Sequence, residues 1–103
     1  MLEQRKAPRI DVTLPVRWEG VLEQQEATII SLSADGCFVL SGGDVTLGEL
    51  IRFEIDLPGQ QRVYCWGEVT DRARDIGFAV SFAALEDAVL DRLTEFIEQS
   101  RSA

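Results

Sequence analysis

The chain has 103 residues, 46% of them hydrophobic, with 18 acidic against 10 basic side chains and a net charge of −8 at neutral pH. This is enough for one modest core and too apolar for a disordered chain, so a single globular domain is expected. The acidic balance excludes a sequence-independent DNA or RNA binder, which needs a broad basic stripe.

There is no histidine, which removes the commonest metal ligand and the usual acid–base group at neutral pH. Neither cysteine, Cys37 or Cys65, therefore has an imidazole to activate it, and both are expected as buried free thiols inside strands. No spacing among the acids marks a catalytic pair, and no metal-ligand cluster is evident. A non-enzymatic role follows, with no metal. Residues 1–18 lack the continuous apolar core of a secretory leader, and no apolar run is long enough to span a bilayer. The expectation is a cytoplasmic protein without membrane insertion.

Positive charge gathers in one place, Arg5-Lys6-Ala7-Pro8-Arg9, where only Glu3 opposes it. Ala7-Pro8 argues against helix, because the residue before a proline is pushed toward extended geometry. Two arginines on an extended arm offer planar forks for phosphate and flat faces for bases. Two readings stand side by side: an arm that closes over a small anionic ligand, and a solvated chain end; Lys6 reads as solvated, with reach to a phosphate as the alternative. Downstream the sign reverses. Between Glu19 and Asp56 there are eight acids and one base, Arg52.

Val12 to Trp18 alternates apolar and polar residues, the period of a half-buried strand. Pro15 cannot donate to a ladder, so it belongs at an edge or where its nitrogen faces away from a partner. Gln25–Ser31 forms a second strand, with Ala27, Ile29 and Ser31 on one face. Ser31-Leu32-Ser33-Ala34-Asp35-Gly36 is a polar break whose hydroxyls can bond neighbouring amides and whose glycine permits a positive φ. Gly36–Ser41 is a third strand, and Leu50–Leu57 a cleanly alternating fourth. Pro58-Gly59 turns the chain into a fifth, Arg62–Thr70. Arg72-Ala73-Arg74-Asp75 reads as an exposed connection, and Ile76–Phe82 is the sixth strand. Trp18, Tyr64 and Trp66 read as barrel packing. The period then changes: Leu85, Val89, Leu93 and Phe96 recur at three and four residues, an amphipathic helix over Leu85–Gln99. The fold expected is all-β with one C-terminal helix, a six-stranded antiparallel barrel capped by that helix.

Three features coincide in this layout. Arg5-x-x-x-Arg9 precedes the first strand, and Ser31-x-Ser33-x-x-Gly36 joins the second to the third. Gly77-Phe78-Ala79-Val80-Ser81-Phe82 leads into the helix. Together they resemble the PilZ domain family over nearly the whole chain. That family has six-stranded barrels that bind the bacterial second messenger cyclic di-GMP through Arg-x-x-x-Arg and Asp/Asn-x-Ser-x-x-Gly. The resemblance implies a single domain with a flexible basic arm (1–11), a barrel (12–83) and a helix (85–99). It also implies a non-catalytic receptor that needs no cofactor besides its ligand and relays binding to a protein partner. Arg5 and Arg9 would contact phosphates and guanines, Ser33 would hydrogen-bond the ligand, and Gly36 would allow close approach of a base. Ser31 stands where the family has Asp or Asn. A serine hydroxyl cannot make the two-point contact of a carboxylate or amide with the guanine N1–H and N2–H₂ edge. The alternative is therefore a degenerate PilZ-like module that works through protein contacts alone.

Overall fold

Alternation along six segments yields six strands: β1 (Ile10–Glu19), β2 (Gln24–Leu32), β3 (Gly36–Leu40), β4 (Leu50–Ile55), β5 (Val63–Ala73) and β6 (Gly77–Ala83). A helix, α1 (Asp87–Ser102), follows. The computed structural model describes residues 7–60 and 62–102. All strand pairs are antiparallel, and the sheet closes on itself in the order β1-β2-β3-β6-β5-β4. This is the expected six-stranded barrel with its C-terminal helix. The inward residues of every strand, among them Trp18, Ile29, Val39, Phe53, Val69 and Phe78, form one buried cluster.

Closure has consequences for both ends. Because β3 pairs with β6 and not with β4, the connection 41–49 must cross one mouth of the barrel. Val45 is buried there. The Trp18 indole N–H donates to Ser41 Oγ at 3.0 Å, and the Trp18 ring meets Phe78 edge-on at 5.4 Å. The turns 20–23 and 74–76 share this upper end. The β2–β3 turn and the carboxyl end of β6 lie at the lower end, where Gly36 pairs with Ser81. After β6 the chain reverses through Ala84 at φ 51°, so α1 begins at Asp87 and not at Leu85. Leu85 packs on the core from the connection, and Leu93 and Ile97 are buried within it.

Several details depart from the sequence pattern. Pro15 is not at an edge, since β1 has β2 on one side and β4 on the other. Its carbonyl accepts from the Asp56 amide at 3.2 Å, past the last β1–β4 pair. Its nitrogen faces the same way, and without an N–H to return a bond the β1–β4 ladder ends at Val16–Ile55. Ser31 does not join Ala27 and Ile29 on the inner face. The register shifts between Ile29 and Ser31 against β3, and Leu32 takes the buried position. Of the three aromatics expected as packing, Trp18 is in the core, but Tyr64 and Trp66 are 58% and 50% exposed on the outer wall. Among the described residues no helix is long and apolar enough to cross a membrane.

If α1 is part of the core and not an appendage, Leu93→Ala should lower unfolding free energy by about 2–5 kcal/mol. Leu90→Ala, on the exposed side of the same helix, should change it by less than about 1 kcal/mol. Urea unfolding followed by circular dichroism measures both.

Candidate ligand-binding site

The register of β1 on β2 sets the site. Ile10 lies opposite Leu32 and Asp11 opposite Ser31, so the residues entering β1 run alongside the β2–β3 turn. Arg9 Nη1 donates to Ser31 Oγ at 2.9 Å, and the Ala7 amide points at Asp35 Oδ2 at 3.4 Å. The two motifs, 22 residues apart, thus meet through a side-chain contact. Arg5, and Lys6 with it, lies outside the described residues.

The turn itself is built by Ser33, the one fully buried polar residue among those described, at 2% exposure. Its hydroxyl accepts from the amides of Asp35 (3.1 Å) and Gly36 (3.2 Å), and its own amide donates to the Gly36 carbonyl at 2.9 Å. The Asp35 carbonyl accepts from the Phe82 amide at 2.8 Å, tying the turn to β6. Gly36 does not use the left-handed backbone expected of a turn glycine; the positive-φ glycines described are Gly48 and Gly59. Glycine is required for another reason. A methyl group there would run into the carbonyl oxygen of Val80 on β6. The hydroxyl of Ser33 and the bare backbone of Gly36 therefore serve the same end, a tight corner against β6.

Arm and turn border a cleft of about 580 Å³ that continues over the outer wall of β3, β6 and β5. Its wall is built from cross-strand neighbours: Ser31 faces Phe38, Phe38 faces Ala79, and Gly36 faces Ser81. A bulge in β5 between Val69 and Asp71 adds Thr70. The sequence reading missed Phe38, Thr70, Ala79 and Ser81. Period-2 alternation marks each of them as outward, but only the register between distant strands puts them side by side. A second opening, of about 500 Å³, lies at the upper end between the 41–45 segment and the β5–β6 turn. Arg72 is within β5 and not in the connection, and its guanidinium donates to the Val45 carbonyl at 3.0 Å.

Cys37 and Cys65 are both free and buried, as expected. Burial pushes the Cys37 thiol far above its ordinary value, the neighbouring Cys65 adds to the rise, and the Arg9 charge offsets it in part. Burial alone pushes Cys65 up to about 12. Burial thus favours the protonated thiol at both positions, the less nucleophilic form of cysteine.

A family model for the PilZ domain matches residues 3–99. The chain belongs to the PilZ family. Three solved structures extend the likeness at the level of fold. The Bacillus subtilis inhibitor of motility MotI/DgrA superposes with a TM-score of 0.81 at 17% identity, covering 97% of this chain and 52% of its own length. The Borreliella burgdorferi protein PlzA, solved in complex with c-di-GMP, gives 0.70 at 13% identity over 90% of this chain and 40% of PlzA. An uncharacterized Legionella protein, Lpg0364, gives 0.58 at 17% identity, with 91% and 94% covered. This PilZ chain thus spans about half the length of MotI/DgrA and less of PlzA. No curated protein matches it by sequence.

The backbone contact at Gly36 makes a checkable demand. Gly36→Ala should destabilise the domain by about 1–3 kcal/mol through overpacking against β6. Gly42→Ala, with nothing within 4 Å of the added carbon, should be neutral or stabilising by up to about 1 kcal/mol. Paired thermal melts compare the two.

Proposed function

We propose that this PilZ domain is a non-catalytic receptor for cyclic di-GMP, held between the Arg9 arm and the β2–β3 turn. The observation that carries this reading is the Arg9–Ser31 contact at the mouth of the cleft. It brings a guanidinium, the serine hydroxyl it bonds and an open outer wall to one spot on an otherwise acidic protein. Membership of the PilZ family supports it, as does a fold shared with PlzA, whose structure holds c-di-GMP.

The chemistry suits the ligand. Cyclic di-GMP carries two phosphate charges and two guanines, and the O6 and N7 acceptors of guanine fit an arginine fork. In this reading Arg9 gives up its bond to Ser31 and turns to a phosphate or guanine, joined by Arg5 from the arm. Ser33 acts through the turn that it holds, and Gly36 keeps the backbone low beside the ligand. Phe38, half-buried in the cleft wall, offers an apolar face. Charged hydrogen bonds of about 1.5–3 kcal/mol each, a few in number, reach micromolar affinity, roughly −8 kcal/mol. Binding orders the arm against the barrel, and a protein partner reads the changed surface. We place the receptor in the cytoplasm, and divide it into arm, barrel and helix as the sequence suggested.

One observation favours a second reading. Ser31 has a single hydroxyl, already engaged by Arg9, so the guanine edge lacks the two-point acceptor usual in the family. A PilZ module without nucleotide, acting by protein contacts alone, would look the same here.

Isothermal titration with cyclic di-GMP separates the two. The receptor reading expects saturable micromolar binding by the natural chain. Arg9→Ala should weaken it roughly 10- to 150-fold, with the melting temperature nearly unchanged because Arg9 is exposed. Ser31→Asp should strengthen it. No heat from the natural chain or from Ser31→Asp would favour the protein-contact module, and full affinity in Arg9→Ala would remove this site.

A further inference from the structure

At the upper end of the barrel, away from the cleft, apolar side chains stand in water. Val21 and Leu22 are 78% and 84% exposed, and Leu47 and Leu50 are each more than half exposed. Val21 and Leu22 occupy the centre of the β1–β2 turn, closed by the Gly20 amide on the Glu23 carbonyl at 2.8 Å. Such positions ordinarily carry Gly, Asn, Asp, Pro or Ser. A valine and a leucine there break the local rule without gaining any packing. Departures of this kind concentrate where a surface has a use beyond folding.

These tips are held on a fixed platform. Glu49 accepts from the Val21 amide at 2.8 Å with one oxygen and from the Thr46 amide at 2.9 Å with the other. Glu23 accepts from the Asp44 amide at 2.7 Å. The turn and the crossing loop are therefore bonded to each other, and Leu47 is carried beside Val21 and Leu22. The face made by the β1–β2 turn and the crossing loop is also acidic: from Trp18 to Ile51 the chain has no Lys or Arg. Arg72 and Arg74 at this end border the opening beside the β5–β6 turn, where Arg72 bonds the Val45 carbonyl. Glu23, Asp44 and Glu49 belong to the bonded turn and loop that carry the apolar tips, and Glu19, which precedes the turn, is paired with Arg52 at 2.7 Å.

The charge selects the occupant. Anionic lipid and nucleic acid are repelled, and a second copy would bring like charges together across a two-fold contact. We propose that this end of the barrel docks a protein segment that presents aliphatic or aromatic side chains bordered by Lys or Arg. An apolar centre with a complementary charged rim is the usual anatomy of a specific interface. The surface lies at the opposite end from the Arg9 cleft, so it stands whether or not the nucleotide is bound there.

A displayed library of random peptides, panned on the immobilised chain, tests this. Enriched peptides should combine Leu, Ile or Phe with Lys or Arg, and their binding should weaken as salt is raised. The Val21→Ser/Leu22→Ser double variant should lower their affinity at least about tenfold, and Leu47→Ser should also weaken it. Arg9→Ala and Trp66→Ser, the latter on the barrel wall, should leave it unchanged. These exposed changes should not alter the thermal melt, which is checked in parallel. The proposal fails if nothing is enriched, or if enriched peptides lack basic residues or ignore the double variant. It also fails if sedimentation finds a dimer that the double variant dissociates, or if phosphatidylcholine vesicles bind through the same residues.

Discussion

The seam between β3 and β6 is the contact on which the rest of the molecule depends. It runs from Gly36 opposite Ser81 to Leu40 opposite Gly77. At each end a glycine lies against a carbonyl of the facing strand, Val80 for Gly36 and Val39 for Gly77, with no room for a side chain. Pairing β3 with β6 closes the sheet and removes its edges, which is how a small barrel avoids unpaired strands. It also forces the 41–49 connection across the upper mouth, where Val45 and the Trp18–Ser41 bond seal it. At the lower mouth the same seam delivers the end of β6 beside the β2–β3 turn, and α1 supplies Leu93 and Ile97 to the core. One backbone approach thus fixes the lids of both ends.

The cleft is a product of irregularity in the sheet. Against β3, the extra residue in β2 is Ile30; in β5 it is Thr70. Bulges re-aim side chains, and the first turns Ser31 from the inner face to the mouth of the cleft, within reach of Arg9. The Ser33 turn keeps its polar groups paired, and no buried side-chain nitrogen or oxygen among the described residues lacks a partner. A buried hydroxyl that satisfies two amides fixes its turn more firmly than an exposed one, because leaving those amides unpaired costs about 1–3 kcal/mol each. Arg9, by contrast, is exposed and meets the turn through its bond to Ser31.

Much of this was legible in the sequence because strand and helix periods are local. Alternation through Ile51, Phe53 and Ile55, and three- and four-residue spacing through Val89, Leu93 and Phe96, need no knowledge of distant residues. The pairing of Arg9 with the Ser31 turn was legible only through the family resemblance, since nothing local joins residues so far apart. What was not legible depends on register. Ser31 was misplaced because a bulge breaks the alternation silently, with no glycine or proline to mark it. The sequence shows only that a glycine at position 36 permits a positive φ; the facing carbonyl of Val80, which excludes a side chain there, cannot be seen from β3 alone. Alternation puts Tyr64 and Trp66 on the face opposite the inward Val63 and Cys65 without saying what covers that face, so their exposure is not visible in the sequence.

The two ends of the barrel differ in kind. The lower end brings a cation, a buried-hydroxyl turn and an open wall together, whereas the upper end offers apolar tips in an acidic frame. Occupation of the lower cleft by cyclic di-GMP, as proposed, should be visible residue by residue. Backbone amide NMR of the labelled chain during titration with cyclic di-GMP addresses it most directly. Shifts are expected at Ala7, Arg9, Ser31–Gly36, Thr70 and Ala79–Ser81, with the amides of Val21–Glu23 and Gly42–Asp44 unmoved. Shifts centred on the upper end, with the Arg9 and Ser31–Gly36 amides unchanged, would contradict it.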